Sequence, residues 1–88
     1  RKNALLIDIR NNKDFSNGHI SQAINVGPDI DLCKKEINKV SERPIIIVCQ
    51  NGNYSSRMAT DLKKENYDAY ILKGGINSWL NEKLPLIN

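Results

Sequence analysis

Four short apolar runs punctuate an otherwise mixed chain. They are Ala4-Leu5-Leu6-Ile7, closed by Asp8; Ala23-Ile24-Asn25-Val26; Ile45-Ile46-Ile47-Val48; and Ala69-Tyr70-Ile71-Leu72. All are strand-length, and the unbroken β-branched content of the third marks a buried strand. Between them the apolar positions fall at helical spacing. Asp31 is placed to cap a helix whose inner face carries Leu32, Cys33, Ile37 and Val40, and a second helix from Ser55 to Glu65 turns Met58, Ala59 and Leu62 inward. Gly74-Gly75 opens a last helix with Ile76, Trp79 and Leu80. Asp14 to Asn17, around Phe15, predicts a single turn ended by Gly18. Gly27-Pro28 stops the second strand, Pro44 leads into the third, Asn66-Tyr67-Asp68 turns into the fourth, and Pro85 sits in the tail.

Strands alternating with helices require crossover connections. The predicted class is therefore α/β, with a mostly parallel central sheet flanked by helices. Ligands of such sheets bind outside the carboxyl ends of the strands. Cys49 closes the third strand and Arg10 follows the first, so both are expected at one crevice. After Cys49 come Gln50-Asn51-Gly52-Asn53-Tyr54-Ser55-Ser56-Arg57, whose backbone amides would point at the sulfur and favour its ionised form. The pattern alone leaves two readings open: a reactive thiolate, or a core cysteine ending a strand.

Length and charge narrow the field. Eighty-eight residues make one domain that buries only about 60% of its extended surface. The net charge of +3 and pI near 9.0 are spread along the chain, with Lys34-Lys35 and Lys63-Lys64 as the longest basic runs. That argues against a nucleic-acid footprint and leaves a mildly positive surface suited to a small anion. Two cysteines sixteen positions apart form neither a redox pair nor a metal-ligand pair, and one histidine builds no zinc cluster. Neither a membrane-length apolar run nor a signal peptide is visible, so reduced cytosol is the expected compartment, with any anchor or further domain outside this chain left open. The chain begins almost directly on a strand, as a domain cut from a longer protein would.

Three blocks carry a resemblance. Leu6-Ile7-Asp8-Ile9-Arg10 is followed by Asp14-Phe15, Gly18-His19-Ile20 and Ala23-Ile24-Asn25; then comes Cys49 to Ser55; then Leu72-Lys73-Gly74-Gly75-Ile76-Asn77-Ser78-Trp79. Together they resemble the rhodanese-homology (sulfurtransferase) family, in the family's order from Leu5 to Trp79. The resemblance implies a small three-layer rhodanese-like domain over residues 1–88, lacking the family's usual opening strand and helix. It implies sulfur transfer through a Cys49 persulfide, from thiosulfate or a persulfide donor to cyanide or a thiol, with no metal or organic cofactor and a monomeric domain. Gln50, Asn51, Gly52, Asn53, Tyr54, Ser55 and Ser56 would cradle the substrate, with Arg10 and Arg57 in support. Many active members carry arginines one and five residues after the cysteine; Gln50 and Tyr54 stand there instead, which puts thiosulfate as the natural donor in question.

Each of these residues also has a plainer role open to it. Gly52 can serve a turn, Ser55 or Ser56 can cap the helix, and Asn51 and Asn53 can brace the loop through their side chains. For Arg10 a structural ion pair, with Asp8 or another acid, is favoured over a role in the pocket. His19 reads as packed and hydrogen-bonded, Cys33 as core, and Trp79 as an anchor for the last helix. Tyr54 is placed at the pocket mouth. Two rival functions remain. A cysteine-based phosphatase or arsenate reductase would want arginine after five intervening residues, where Ser55 stands; Arg57 comes after seven. A non-enzymatic binding or sulfur-relay module of a larger protein is the other.

Overall fold

The computed structural model describes residues 3–40 and 43–88. Its centre is a four-stranded parallel sheet made of β1 (Leu5–Asp8), β2 (Ile24–Asn25), β3 (Ile45–Val48) and β4 (Ala69–Ile71), in the order β2-β1-β3-β4. The helices are α1 (Asn12–Asn17), α2 (Ile30–Ile37), α3 (Asn53–Lys64) and α4 (Gly75–Asn81). The predicted α/β class and its parallel sheet are what the molecule shows.

Strand periodicity builds the layers, because alternate side chains leave opposite faces of the sheet. Leu5, Ile7 and Ile9 on one side of β1 and its extension join Ile45, Ile47 and Cys49 on the same side of β3. There they meet Cys33 and Ile37 of α2 and Met58, Ala59 and Leu62 of α3. The opposite face carries Val48, packed with Ile20 and with Ile76 of α4, and bordered by Leu6, Ile46, Leu72 and Trp79. Cys49 thus belongs by parity to the α3 side. Trp79 donates from Nε1 to the carbonyl of Pro85 at 2.9 Å, pinning the tail. His19 stacks on Phe15 with ring centroids 3.8 Å apart, and its backbone pairs with that of Ile87.

Several boundaries differ from the expected ones. Helix α1 starts at Asn12 because the Asn11 side chain accepts from the Asp14 amide. Strand β2 is only Ile24–Asn25 and β4 ends at Ile71. Helix α2 is capped by Asp29 rather than Asp31: the Asp29 carboxylate accepts from the amides of Asp31 and Leu32. Its inner stripe is Ile30, Cys33 and Ile37; Leu32, one residue off that stripe, is 38% exposed. Val40 lies beyond the helix end yet still packs on the core.

Candidate active site

The sharpest departure is at α3, which begins at Asn53, two residues before the expected start. Its N-cap is Gly52, at φ 96°, with no side chain to accept from the first turn. A left-handed residue suits glycine alone here, since a Cβ would also meet the Gly74 amide nitrogen at 3.2 Å. The missing acceptor is the cysteine. Cys49 Sγ receives the Gly52 amide at 3.0 Å and the Ser55 amide at 3.3 Å. The Ser55 amide is the third in the helix, the one an N-cap side chain ordinarily satisfies. Sulfur has replaced oxygen as the cap of α3.

The serines accordingly do other work than capping. Ser55 is fully buried with its Oγ 3.3 Å from Cys49 Sγ, and it donates to the Gly52 carbonyl at 3.1 Å. Ser56 donates to the same carbonyl at 2.8 Å. In the thiol state the Cys49 S–H donates a hydrogen bond to Ser55 Oγ. Once the thiol ionises, the Ser55 hydroxyl can turn to the sulfur while Ser56 keeps the Gly52 carbonyl satisfied. Burial pushes the Cys49 thiol up, but the Ser55 hydroxyl and the amides of Ser55, Gly52 and Asn51 together outweigh it and hold the thiol below its ordinary value of 9.0.

The backbone of Cys49 is clamped from behind. The Ile76 and Asn77 amides, in the first turn of α4, donate to the carbonyls of Cys49 and Gln50 at 2.9 Å each. This approach requires Gly75, at φ 61°, where a Cβ would sit 2.3 Å from the Cys49 carbonyl oxygen. In the sequence Gly74-Gly75 stands as a helix start and as part of the third block of the resemblance. The pair's order just after a strand was the available signal for a close backbone approach.

The remaining candidates divide by place. Cys49, Gln50, Tyr54, Arg10, Ile9, Asn11, Asp14 and Pro28 line one cavity of about 440 Å³. Arg10 pairs with fully buried Asp8, with Nη2 to Oδ2 at 2.9 Å, as its structural reading anticipated. Gln50 donates to Asn77 Oδ1 at 2.7 Å. Asn51 accepts the Asn53 amide at 3.0 Å, a local brace, and both residues are exposed. Tyr54, 73% exposed, lines both this cavity and an adjoining groove that shares Ile9 and Pro28 with it and continues along Ile30, Arg57, Met58 and Asp61. Arg57 lies in that groove, outside the cysteine's cavity. Cys33 is fully buried in α2 and burial pushes its thiol up to about 11. Among the described residues no cluster of His, Cys, Asp and Glu could hold a metal ion, and no helix is long and apolar enough to cross a membrane.

Comparison with known proteins places the chain by family and fold. The model of the rhodanese-like domain matches residues 1–82. An uncharacterized protein of Buchnera aphidicola subsp. Schizaphis graminum is 35% identical, covering 97% of this chain, which spans 59% of that protein's length. The thiosulfate sulfurtransferase GlpE of Shewanella oneidensis is 33% identical over 89% of this chain and 77% of its own. The crystal structure of a rhodanese-related protein from Thermoplasma volcanium superposes with a TM-score of 0.81 at 22% identity, covering 96% of this chain and 83% of that one. At that identity the likeness speaks for the fold.

Proposed function

The chain belongs to the rhodanese-like domain family, and from that premise we propose that it is a sulfurtransferase working through a persulfide on Cys49. The observation that carries this reading is the pair of amides, Gly52 and Ser55, donated to Cys49 Sγ. They are the chain's provision for negative charge on sulfur at that point.

The chemistry follows from that cradle. Cys49 thiolate attacks the outer sulfur of thiosulfate, or of a persulfide; the donor's S–S bond breaks and sulfite or a thiolate leaves. The new Cys49–S–S⁻ projects from the loop into the cavity. An acceptor thiolate or cyanide then attacks the outer sulfur, taking it and returning Cys49 as thiolate, a ping-pong sequence. Neither half-reaction needs a general base on the nucleophile, because the hydrogen bonds to sulfur already favour its ionised form. His19 fits that economy: its Nδ1 is engaged with the Phe15 carbonyl at 2.8 Å. Where a phosphate-handling loop would place an arginine, Ser55 is turned onto the sulfur instead, which favours sulfane transfer over phosphoryl transfer.

Intact-mass spectrometry after incubation with thiosulfate or a small-molecule persulfide tests the reading. A gain of one sulfur atom, removed again by cyanide and absent in Cys49→Ser, is the expected outcome. Failure to load sulfur from either donor would leave a non-enzymatic binding module as the better description.

A further inference from the structure

The charges around the Cys49 cavity are arranged unusually for a site expected to take a dianion. Arg10 is 9% exposed and lines that cavity. Its guanidinium has five N–H groups. Nε spans both oxygens of Asp8 at 3.1 and 3.2 Å, and Nη2 serves Asp8 Oδ2 at 2.9 Å and the Gly18 carbonyl at 2.7 Å. Nη1 has a single partner among the described residues, Gln50 Oε1, at 3.5 Å, the outer limit of a hydrogen bond. A buried guanidinium therefore keeps donor capacity on the side toward Gln50, and Gln50 is itself a wall of the cavity.

A carboxylate stands on the same wall. Asp14, in the first turn of α1, also lines the cavity, is exposed, and makes no ion pair among the described residues. With Asp8 paired to Arg10 from behind, the lining itself carries one charge of each sign, Arg10 and Asp14. That is poor provision for thiosulfate. It is good provision for a molecule presenting a carboxylate and an ammonium together, with the apolar walls Ile9 and Pro28 beside the connecting carbons.

We propose that the cavity selects a zwitterionic donor, an α-amino-acid persulfide, whose carboxylate takes Arg10 Nη1, whose ammonium meets Asp14, and whose outer sulfur is presented to Cys49. This rests on the sulfur-transfer reading above and names its substrate class. The step is balanced without an added oxidant or reductant. Cys49–S⁻ forms a bond to the outer sulfur of R–S–SH, the donor's S–S bond breaks, and R–S⁻ leaves with that bond's electron pair. The product is Cys49–S–SH.

The test compares loading rates of the wild type with four donors: cysteine persulfide, the persulfide of 3-mercaptopropionate (no ammonium), the persulfide of cysteamine (no carboxylate), and thiosulfate. Cysteine persulfide is expected to have the lowest KM. Asp14→Asn, an exposed change unlike any at the buried Arg10, should raise that KM about threefold or more. It should leave the mercaptopropionate donor unchanged or improved, and it should lower the KM for thiosulfate. Equal KM values for the three persulfides, or an Asp14→Asn effect identical across donors, overturns the zwitterion assignment while leaving sulfur transfer intact. Loading from none of the four overturns the transfer reading and this proposal together.

Discussion

Cys33 and Cys49 are equally hidden from solvent, at 0% and 2% exposure, and both border the same hydrophobic cluster. Their thiols are nonetheless shifted in opposite directions. Cys33 sits within α2, where the backbone amides are already committed to the helix, so burial acts unopposed and pushes the thiol up to about 11. Cys49 sits where a strand ends and a helix starts, and its sulfur receives the Gly52 and Ser55 amides and stands beside the Ser55 hydroxyl. Its thiol is held below the ordinary value. Burial alone does not set the direction of the thiol's shift here. The supply of uncommitted donors does.

The strongest way to break this comparison is to exchange the roles by deletion. Cys49→Ser is expected to abolish sulfur transfer to cyanide with the fold retained. Cys33→Ser, which buries a hydroxyl in an apolar setting, should lose about 1–2 kcal/mol of stability yet keep most of the activity. Thermal denaturation alongside the cyanide assay reads both. Comparable loss of activity in the two variants would mean a two-cysteine mechanism.

Next in size is the clamp behind the loop. Gly75→Ala places a methyl group 2.3 Å from the Cys49 carbonyl oxygen and forces a left-handed residue. It should cost more than about 2 kcal/mol and move the loop, so that loading of Cys49 falls even below the melting transition. Full activity in Gly75→Ala would show that α4 does not hold the sulfur's surroundings.

A smaller effect is expected from charge at the mouth. Gln50→Arg with Tyr54→Arg adds two cations near a cavity whose own arginine is balanced by Asp8. Each close charge is worth about 1 kcal/mol in a partly desolvated site, or roughly fivefold in apparent affinity for thiosulfate. Added salt should blunt the gain. An unchanged KM would mean that the loop amides alone bind the anion.

Much of this architecture was legible in the sequence. The runs Leu5–Asp8 and Ile45–Val48 gave the central strands, and the position of Cys49 after an unbroken β-branched run placed it at the sheet's carboxyl edge. Arg10 was legible as the partner of Asp8 because the two stand at the end of one strand. The start of α3 was not. The sequence does place the loop and first-turn amides on the Cys49 sulfur, as the Gly52 and Ser55 amides show, but serine propensity sets the helix start at Ser55, because a sulfur three residues before the cap is not the usual acceptor of a capping hydrogen bond. The cap of α2 was missed by two residues because Asp29 and Asp31 are locally equivalent as cap residues, and it is Asp29 whose backbone is extended and whose carboxylate takes the Asp31 and Leu32 amides. The place of Arg57 in the adjoining groove rather than beside Cys49 also lay beyond sequence, since it depends on how the first turns of α3 are set against the sheet.

The most direct measurement of the central claim is the alkylation rate of each cysteine against pH in the same folded protein, resolved by peptide mass spectrometry. Only an accessible thiolate reacts, so the rate at Cys49, which lines a cavity, follows its ionisation, while fully buried Cys33 must also be uncovered. Cys49 is expected to reach half its maximal rate below pH 9.0, with the midpoint moving upward in Ser55→Ala, while Cys33 stays unreactive until the pH nears 11. Two cysteines with the same midpoint, or a Cys49 midpoint at or above 9.0, would contradict the account.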